Sequence, residues 1–423
     1  MRRYTRISIL LVFFFFQGAI VSGAQETSLT LEEALNISLR DNRDILLKYE
    51  DIRKAKATIA EADASLFPTV SFTGGWTDTR DFYSKDIGVT SNQLTVKQYL
   101  YQGGKTVNTI AQKKDALKVS EALLDAQKLE LIQDVTRGFY TLLLAQEYRG
   151  LNTQIVDNAR AHITMRQARY RSGQVSSSDL LAVQKSLGAV EEAYAASENQ
   201  VEAGQALLRK LLYLEDEVSI YAQGDFVVSA RDIAYDEAFL KAMRSRPEIR
   251  QYEAQAQADT KAIEIAKADT RPSIYASWDY YTKSHFGAGA SKNWNDYNVL
   301  GITFSWPIFD GWATKAKVEQ AMVDLRETQL LRQQEVKNIA LELKNAYLNL
   351  KNAIASIKAV ESEVEMYRDT LVVMQVQFKS GIVSLLEVED AALGYQVSLF
   401  KQKEALYDYI VAKASFDRAT GGI

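Results

Sequence analysis

Two acids, Glu387 and Asp390, are the residues of this chain best placed to act together. On a helix, positions three apart share a face, and two carboxylates on one face attract cations. Asp179 stands in a similar setting. Glu387 and Asp179 each follow a serine at a helix start, in Ser384-Leu385-Leu386-Glu387 and Ser176-Ser177-Ser178-Asp179. Both runs fit the capping-box pattern, in which the acid holds the helix start and need do nothing else. Asp390 lies one turn further in, beyond any capping role. Arg169, Arg171 and Lys379 stand just upstream, in last helical turns, where cations suit the carbonyl end of a helix. Bond-making chemistry has little support. There are two histidines, His162 and His285, no cysteine, and no paired ligand spacing for zinc. Gly103-Gly104-Lys105-Thr106 echoes a phosphate loop, but Tyr99 occupies the place of its first glycine. The chain reads as a non-enzyme without cofactor or metal centre.

The elements that position these residues occur twice. Pro68 and Pro272 each end a helical stretch and open a window of alternating apolar and polar residues. Before the prolines the halves match at an offset of 204, pairing Leu35 with Phe239 and Asp44 with Glu248. After the windows the offset is 208, pairing Gly103 with Gly311, Gly173 with Gly381 and Asp179 with Glu387. At that offset Asp390 meets Ala182, so the shared fold does not demand an acid there. The organisation predicted is a signal peptide over 1–24, a first repeat over 25–214, a linker over 215–235 and a second repeat over 236–423. Each repeat is a helix, a β-hairpin (about 69–101 and 273–309), a long helix and a return helix. Residues 29–67 are expected as one helix. From Gly103 to about Arg171, and again from Gly311 to about Lys379, no proline interrupts. Helices of that length reach about 100 Å.

The windows have period two, the signature of strands with one apolar face. Leu300, Ile302, Phe304, Trp306 and Ile308 alternate with Gly301, Thr303 and Ser305. Trp76, Trp278, Trp294 and Trp306 lie in or beside the windows, joined by Trp312 and by tyrosines such as Tyr83, Tyr99 and Tyr280. Aromatics of this kind favour the headgroup level of a bilayer, giving the four tryptophans the role of membrane-interface anchors. A soluble hairpin packed on helices is the competing reading.

Composition narrows the field. Net charge is −4 over 423 residues, and losing Arg2, Arg3 and Arg6 with a signal peptide makes the remainder more acidic. No basic stripe is left to neutralise phosphates, which excludes nucleic acid as a partner. Arg2 to Arg6, the apolar run Ile7 to Ile20 and the small residues Ser22-Gly23-Ala24 form a secretory signal pattern; an uncleaved anchor is the alternative. Two hairpins give four strands, too few to close a barrel, and an open edge in lipid leaves backbone groups unsatisfied. The chain is therefore expected to share a barrel with copies of itself, and physics does not choose the number.

In this order and duplicated, the motifs Phe67-Pro68, Arg271-Pro272, Tyr101-Gln102-Gly103-Gly104, Phe309-Asp310-Gly311-Trp312, Tyr170-Arg171-Ser172-Gly173 and Phe378-Lys379-Ser380-Gly381 resemble the TolC-type outer-membrane efflux proteins. The resemblance covers about residues 28–421. It implies a mainly α fold with a membrane β part: a homotrimer whose twelve-stranded barrel in outer-membrane lipid continues as an α-helical barrel through the periplasm. It implies docking to a periplasmic adaptor protein and an inner-membrane pump, with passage of small molecules such as drugs or metal ions. Export of polypeptides by a type I secretion system is the alternative within the class, and a poreless periplasmic coiled-coil protein the alternative outside it. Glu387, Asp390 and Asp179 are implied at the channel constriction. The tip residues Arg171, Ser172, Gly173, Gln174, Val175, Ser176, Lys379, Ser380, Gly381, Ile382, Val383 and Ser384 are implied as the adaptor contact. The best-known members hold the tip shut partly through a basic residue at the position of Val383 and a tyrosine hydroxyl at that of Phe378. Neither side chain here makes such hydrogen bonds, so the closing contact must differ, with Arg171 and Lys379 as available cations.

Overall fold

A computed structural model describes residues 26–82, 85–228, 234–286 and 294–422; the proposed signal peptide and Tyr83 lie outside them. In chain order the elements are β1 (Glu26–Leu29), α1 (Leu31–Asp41), α2 (Arg43–Ala64), β2 (Thr69–Phe82), β3 (Lys85–Gln102), α3 (Lys105–Arg171) and α4 (Ser177–Leu212). Then follow β4 (Ser219–Ala222), α5 (Tyr235–Ser245), α6 (Pro247–Ala268), β5 (Ser273–Phe286), β6 (Asn295–Ser305), α7 (Ala313–Lys379) and α8 (Leu385–Ala419).

The stretch expected as one helix over 29–67 is two, broken at Asn42. Its backbone is extended (ψ 127°), and its side-chain oxygen accepts from the N–H groups of Asp44 and Ile45. Satisfying the first N–H groups of a new helix is what an asparagine cap does. At the matching place in the second half the break is made by Pro247, which opens α6 and forces Arg246 out of helical geometry (ψ 125°). Residues 215–235 are more than a linker. Their β4 pairs in parallel with β1, from Glu26 against Ser219 to Leu29 against Ala222. The long helices α3 and α7 have 67 residues each.

The second sheet has the order β2-β3-β5-β6 and is antiparallel throughout. The register carries one apolar row across all four strands, Val70 to Val96 to Trp278 to Leu300. A neighbouring row runs Phe72, Leu94, Tyr280 and Asn298. Val70, Phe72, Leu300, Ile302 and Phe304 are each more than 60 % exposed, a surface stable only against lipid or other protein. The opposite face is polar. Thr95 donates to Asp279 Oδ1 at 2.6 Å, and Gln93 Nε2 donates to the same oxygen and to the Tyr281 hydroxyl, both at 3.0 Å. Lys97 rests over the rings of Tyr99 and Tyr275. Apolar on one side and polar on the other is the pattern of a strand in a membrane barrel. Among the described residues, neither β2 nor β6 has a partner on its outer side.

Below the sheet the core lies in two clusters. Val135, Phe139 and Leu142 of α3 pack with Leu208 and Leu212 of α4 and with Ile45 and Ile220. Ile339 and Leu343 of α7 pack with Tyr409 and Phe416 of α8 and with Ala238 and Ala242 of α5. Among the described residues, no helix is long and apolar enough to cross a membrane.

The joint between sheet and helices is built on Asp269 and Arg271. Asp269 accepts from Lys105 (2.9 Å) and Lys317 (2.8 Å), near the starts of α3 and α7. Cations are disfavoured at helix starts, and the acid offsets them. The hydrogen bonds from Lys105 and then Lys317 hold its carboxyl below the usual range. Arg271 donates to the carbonyl of Gly103 at 3.0 Å. Gly103 has φ 61°, and a Cβ there would lie 2.6 Å from Arg271 Cβ and 3.0 Å from the Ala268 carbonyl oxygen. Gly103→Ala should therefore cost about 2 kcal/mol or more from left-handed strain and the clash. Gly104→Ala should cost less, because its φ is also positive but its nearest neighbours are 3.6 Å away. Thermal unfolding of the two variants side by side checks the difference.

Candidate functional site at the helical tip

The far ends of the two long hairpins are built alike. At the end of α3, the Gly173 N–H donates to the Tyr170 carbonyl and the Gln174 N–H to that of Arg169, both at 2.9 Å. At the end of α7, the Gly381 N–H donates to the Phe378 carbonyl (2.9 Å) and the Ile382 N–H to that of Gln377 (3.0 Å). Both glycines are left-handed, φ 74° and 75°, with open space where a Cβ would stand. This is the glycine-closed helix end in which a tight turn satisfies the last carbonyls. It leaves Arg171, Ser172, Gln174, Ser176, Lys379, Ser380 and Ser384 exposed, with Val175 and Val383 half-buried. Ile382 is 71 % exposed and Leu385 55 %, an apolar pair on the outside of the second turn.

Each return helix starts with a complete capping box. Ser384 N–H and Oγ donate to Glu387 Oε2 at 2.6 and 2.9 Å, and the Glu387 N–H donates back at 3.4 Å. Ser176 and Asp179 repeat the arrangement, with both backbone contacts at 3.2 Å. The backbone N–H of Ser384, then its hydroxyl, lowers the ionisation range of Glu387. The Ser176 hydroxyl, then its backbone N–H, does the same for Asp179, with Arg166 adding to it. Both carboxylates are thus charged at neutral pH. A lowered range means that their capping contribution is complete above the ordinary carboxylate range and disappears as pH falls through the lowered one.

Asp390 is held differently. His162 of α3 places Nε2 3.0 Å from Asp390 Oδ1 of α8. The approach is out of line for a hydrogen bond, and Nε2 has no other partner and no contact with solvent. The pair ties one hairpin to the other near the tip. Arg171 and Lys379, the cations the sequence offers for closure, enter no ion pair among the described residues of the single chain. The sequence shows His162 as an isolated histidine in a long helix. Its one signal is asymmetry: at the offset of 208 it meets Thr370, just as Asp390 meets Ala182.

Of the tryptophans, Trp294 and Trp306 stand immediately before and after β6. The Trp306 indole N–H donates to the Thr270 carbonyl at 3.2 Å. The 11 residues of β6 match the roughly 9–11 that a tilted membrane strand needs. Trp76 and Trp278 lie within β2 and β5 rather than at their ends.

A sheet with one apolar and one polar face, fused to two hairpins of about 100 Å, defines a membrane channel protein that extends far into water. Solved structures share the architecture. The CmeC outer membrane channel of Campylobacter jejuni superposes with a TM-score of 0.76 at 17 % identity, over 99 % of this chain and 94 % of that one. The open-state MtrE outer membrane channel of Neisseria gonorrhoeae gives 0.75 at 17 %, over 93 % and 89 %. In sequence, nodulation protein T of Rhizobium leguminosarum bv. trifolii is 22 % identical over 435 residues, covering 96 % of this chain and 90 % of that protein. The model of the outer membrane efflux protein family matches residues 34–212 and 240–422, and the chain belongs to that family. It is an outer-membrane channel for efflux or secretion that reaches into the periplasm, and not an enzyme.

Proposed function

We propose that the protein is the exit duct of a tripartite efflux pump. It works as a homotrimer that receives small molecules, such as drugs or metal ions, from a periplasmic adaptor and an inner-membrane pump. The observation that carries this reading is the four-stranded sheet with its apolar row and two unpartnered edges. In lipid each unsatisfied backbone group costs several kcal/mol, so β6 of one chain must meet β2 of the next. Three copies give twelve strands. The exposed turns at 171–176 and 379–384 form the adaptor-facing rim, and Glu387, Asp390 and Asp179 line the constriction beside it.

Extraction of the outer-membrane fraction in mild detergent, followed by a mass measurement, tests the assembly. The expected species is a trimer that conducts ions in a planar bilayer. A monomer or dimer recovered from the soluble periplasm overturns the proposal in favour of a coiled-coil spacer. Loss of the protein should raise cellular sensitivity to small toxic molecules; a defect confined to polypeptide export would move the reading to secretion.

A further inference from the structure

We propose that a hollow in the helical wall, between α3, α4 and α8, is a binding site for hydrophobic organic cations on their way through the duct. The inference rests on the reading above of a duct for small molecules and names a class of cargo for it. The hollow has a volume of about 580 Å³. That is the size of a small-molecule pocket, and such pockets are mostly apolar with a few placed polar groups. Ala145 of α3 and Ala203 and Gly204 of α4 leave the space, since none carries a side chain long enough to fill it. Gly204 also lets the two helices close up, because a Cβ there would lie 3.2 Å from Leu142 Cα. Leu144, Leu207, Tyr148 and Phe400 wall the hollow, the two rings with centroids 5.1 Å apart. The Tyr407 hydroxyl and Thr141 Oγ1 share a hydrogen bond at 3.0 Å that joins α8 to α3 along its side.

The hollow opens on the side of the wall that β4 and the segment after it leave bare. Phe226 of that segment rests against Tyr140 of α3. Gln205 and Arg209 of α4 donate to the carbonyls of Ile220 and Val218. Gly224 and Asp225 cover a second groove on the same side, with Gln402 and Leu406 of α8. Glu404, Tyr407 and Asp408 are three and four apart on α8, hence on one face. The helical step of about 100° per residue turns Gln402 and Leu406 away from them. A duct has to keep its bore clear, so the covered side is the outer one and the hollow faces the bore.

Charge selects the occupant. Glu404 lines the hollow, and Asp408 follows one turn on. The cations close by in sequence are taken: Arg137 by Asp134 at 3.9 Å, Lys401 by Glu363 and Lys403 by Glu147, both at 2.7 Å. Neither Glu404 nor Asp408 enters an ion pair among the described residues. Both are exposed, yet their surroundings strip away part of their water. Burial raises the ionisation range of Asp408. Burial, and then the charge of Asp408, raises that of Glu404 against a smaller pull from Lys401. Two partly dehydrated acids without a cation gain from an arriving positive charge, and aromatic rings accept the same charge on their faces. A hydrophobic anion meets the same apolar wall and two like charges. The apolar body of the ligand supplies affinity, and the acids choose its sign.

The test is equilibrium dialysis of detergent-purified trimers against tetraphenylphosphonium, with uptake by empty micelles subtracted. Tetraphenylborate, of the same shape and opposite charge, is the counterpart. The unaltered channel should hold one phosphonium per chain and bind borate about tenfold more weakly. Glu404→Gln should weaken phosphonium binding about fivefold, and Glu404→Gln combined with Asp408→Asn about tenfold or more. Ala203→Leu, at an exposed position, fills the hollow and should weaken binding at least as much, with trimer level and conductance unchanged. A conducting unaltered trimer that takes up no phosphonium, or takes up both ions equally, overturns the inference and leaves the duct standing. So does phosphonium binding that neither Glu404→Gln nor Ala203→Leu alters. A protein that forms no conducting trimer defeats the duct reading, and the inference falls with it.

Discussion

Asp390→Asn should weaken block of the open channel by a trivalent cation about tenfold or more at neutral pH, with little change in the amount of trimer. A unit pair at 4 Å is worth about 1 kcal/mol in water. A trivalent ion beside three carboxylates multiplies that, and salt takes part of it back; a tenfold change needs only about 1.4 kcal/mol. Glu387→Gln provides the contrast. It removes a charge and also loosens the cap on Ser384, so it should alter both block and order at the tip. Asp390 has no capping duty, so its substitution leaves the cap intact. Conductance titrations with and without the blocker measure the effect. Equal block in parent and variant would show that the ion does not bind at this level.

Arg246→Met should destabilise the helical region by about 3 kcal/mol. The Arg246 side chain is 3 % exposed and donates to Glu248 at 2.9 and 3.0 Å, to Glu342 at 2.9 Å and to the Arg418 carbonyl at 3.2 Å. Burial works against its charge, yet its hydrogen bond to Glu342 and the fields of both acids outweigh it and raise its ionisation range. Methionine fills the space but strands two carboxylates, one of which keeps only Arg418 at 3.5 Å. The variant should lose helical signal at a clearly lower temperature. Arg246→Lys, which keeps the charge without the planar fork, should fall between. A methionine variant that melts with the parent would show that the network contributes nothing net.

What the sequence revealed of this molecule was what local chemistry writes into it. The capping boxes at Ser176 and Ser384 were legible because both partners lie within four residues. The sheet's faces were legible because period two persists over Leu300 to Phe304, although the alternation expected on to Ile308 overran β6, which ends at Ser305. The break at Asn42 was not, since an asparagine within a helical run reads like any other polar residue; its match to Pro247 was the available clue. The β1–β4 pair was hidden because four residues are too few to show a period. The Gln93–Thr95–Asp279–Tyr281 network and the His162–Asp390 contact each join the two halves of the chain. No local pattern could announce them, and only the fold brings their members together. Sequence also set Trp76 and Trp278 beside Trp294 and Trp306 as one class, whereas strand register separates the ones inside the sheet from those at its limits.

The two bare edges of the four-stranded sheet carry a thermodynamic consequence. The helical hairpins bury two core clusters within one chain, so part of their stability is independent of concentration. In the proposed assembly the barrel forms only where edges from separate chains meet, so its stability would contain a mass-action term. Dilution is then a selective denaturant. On that reading it would act first on the membrane half of the molecule, and entry into the bilayer and association would be coupled.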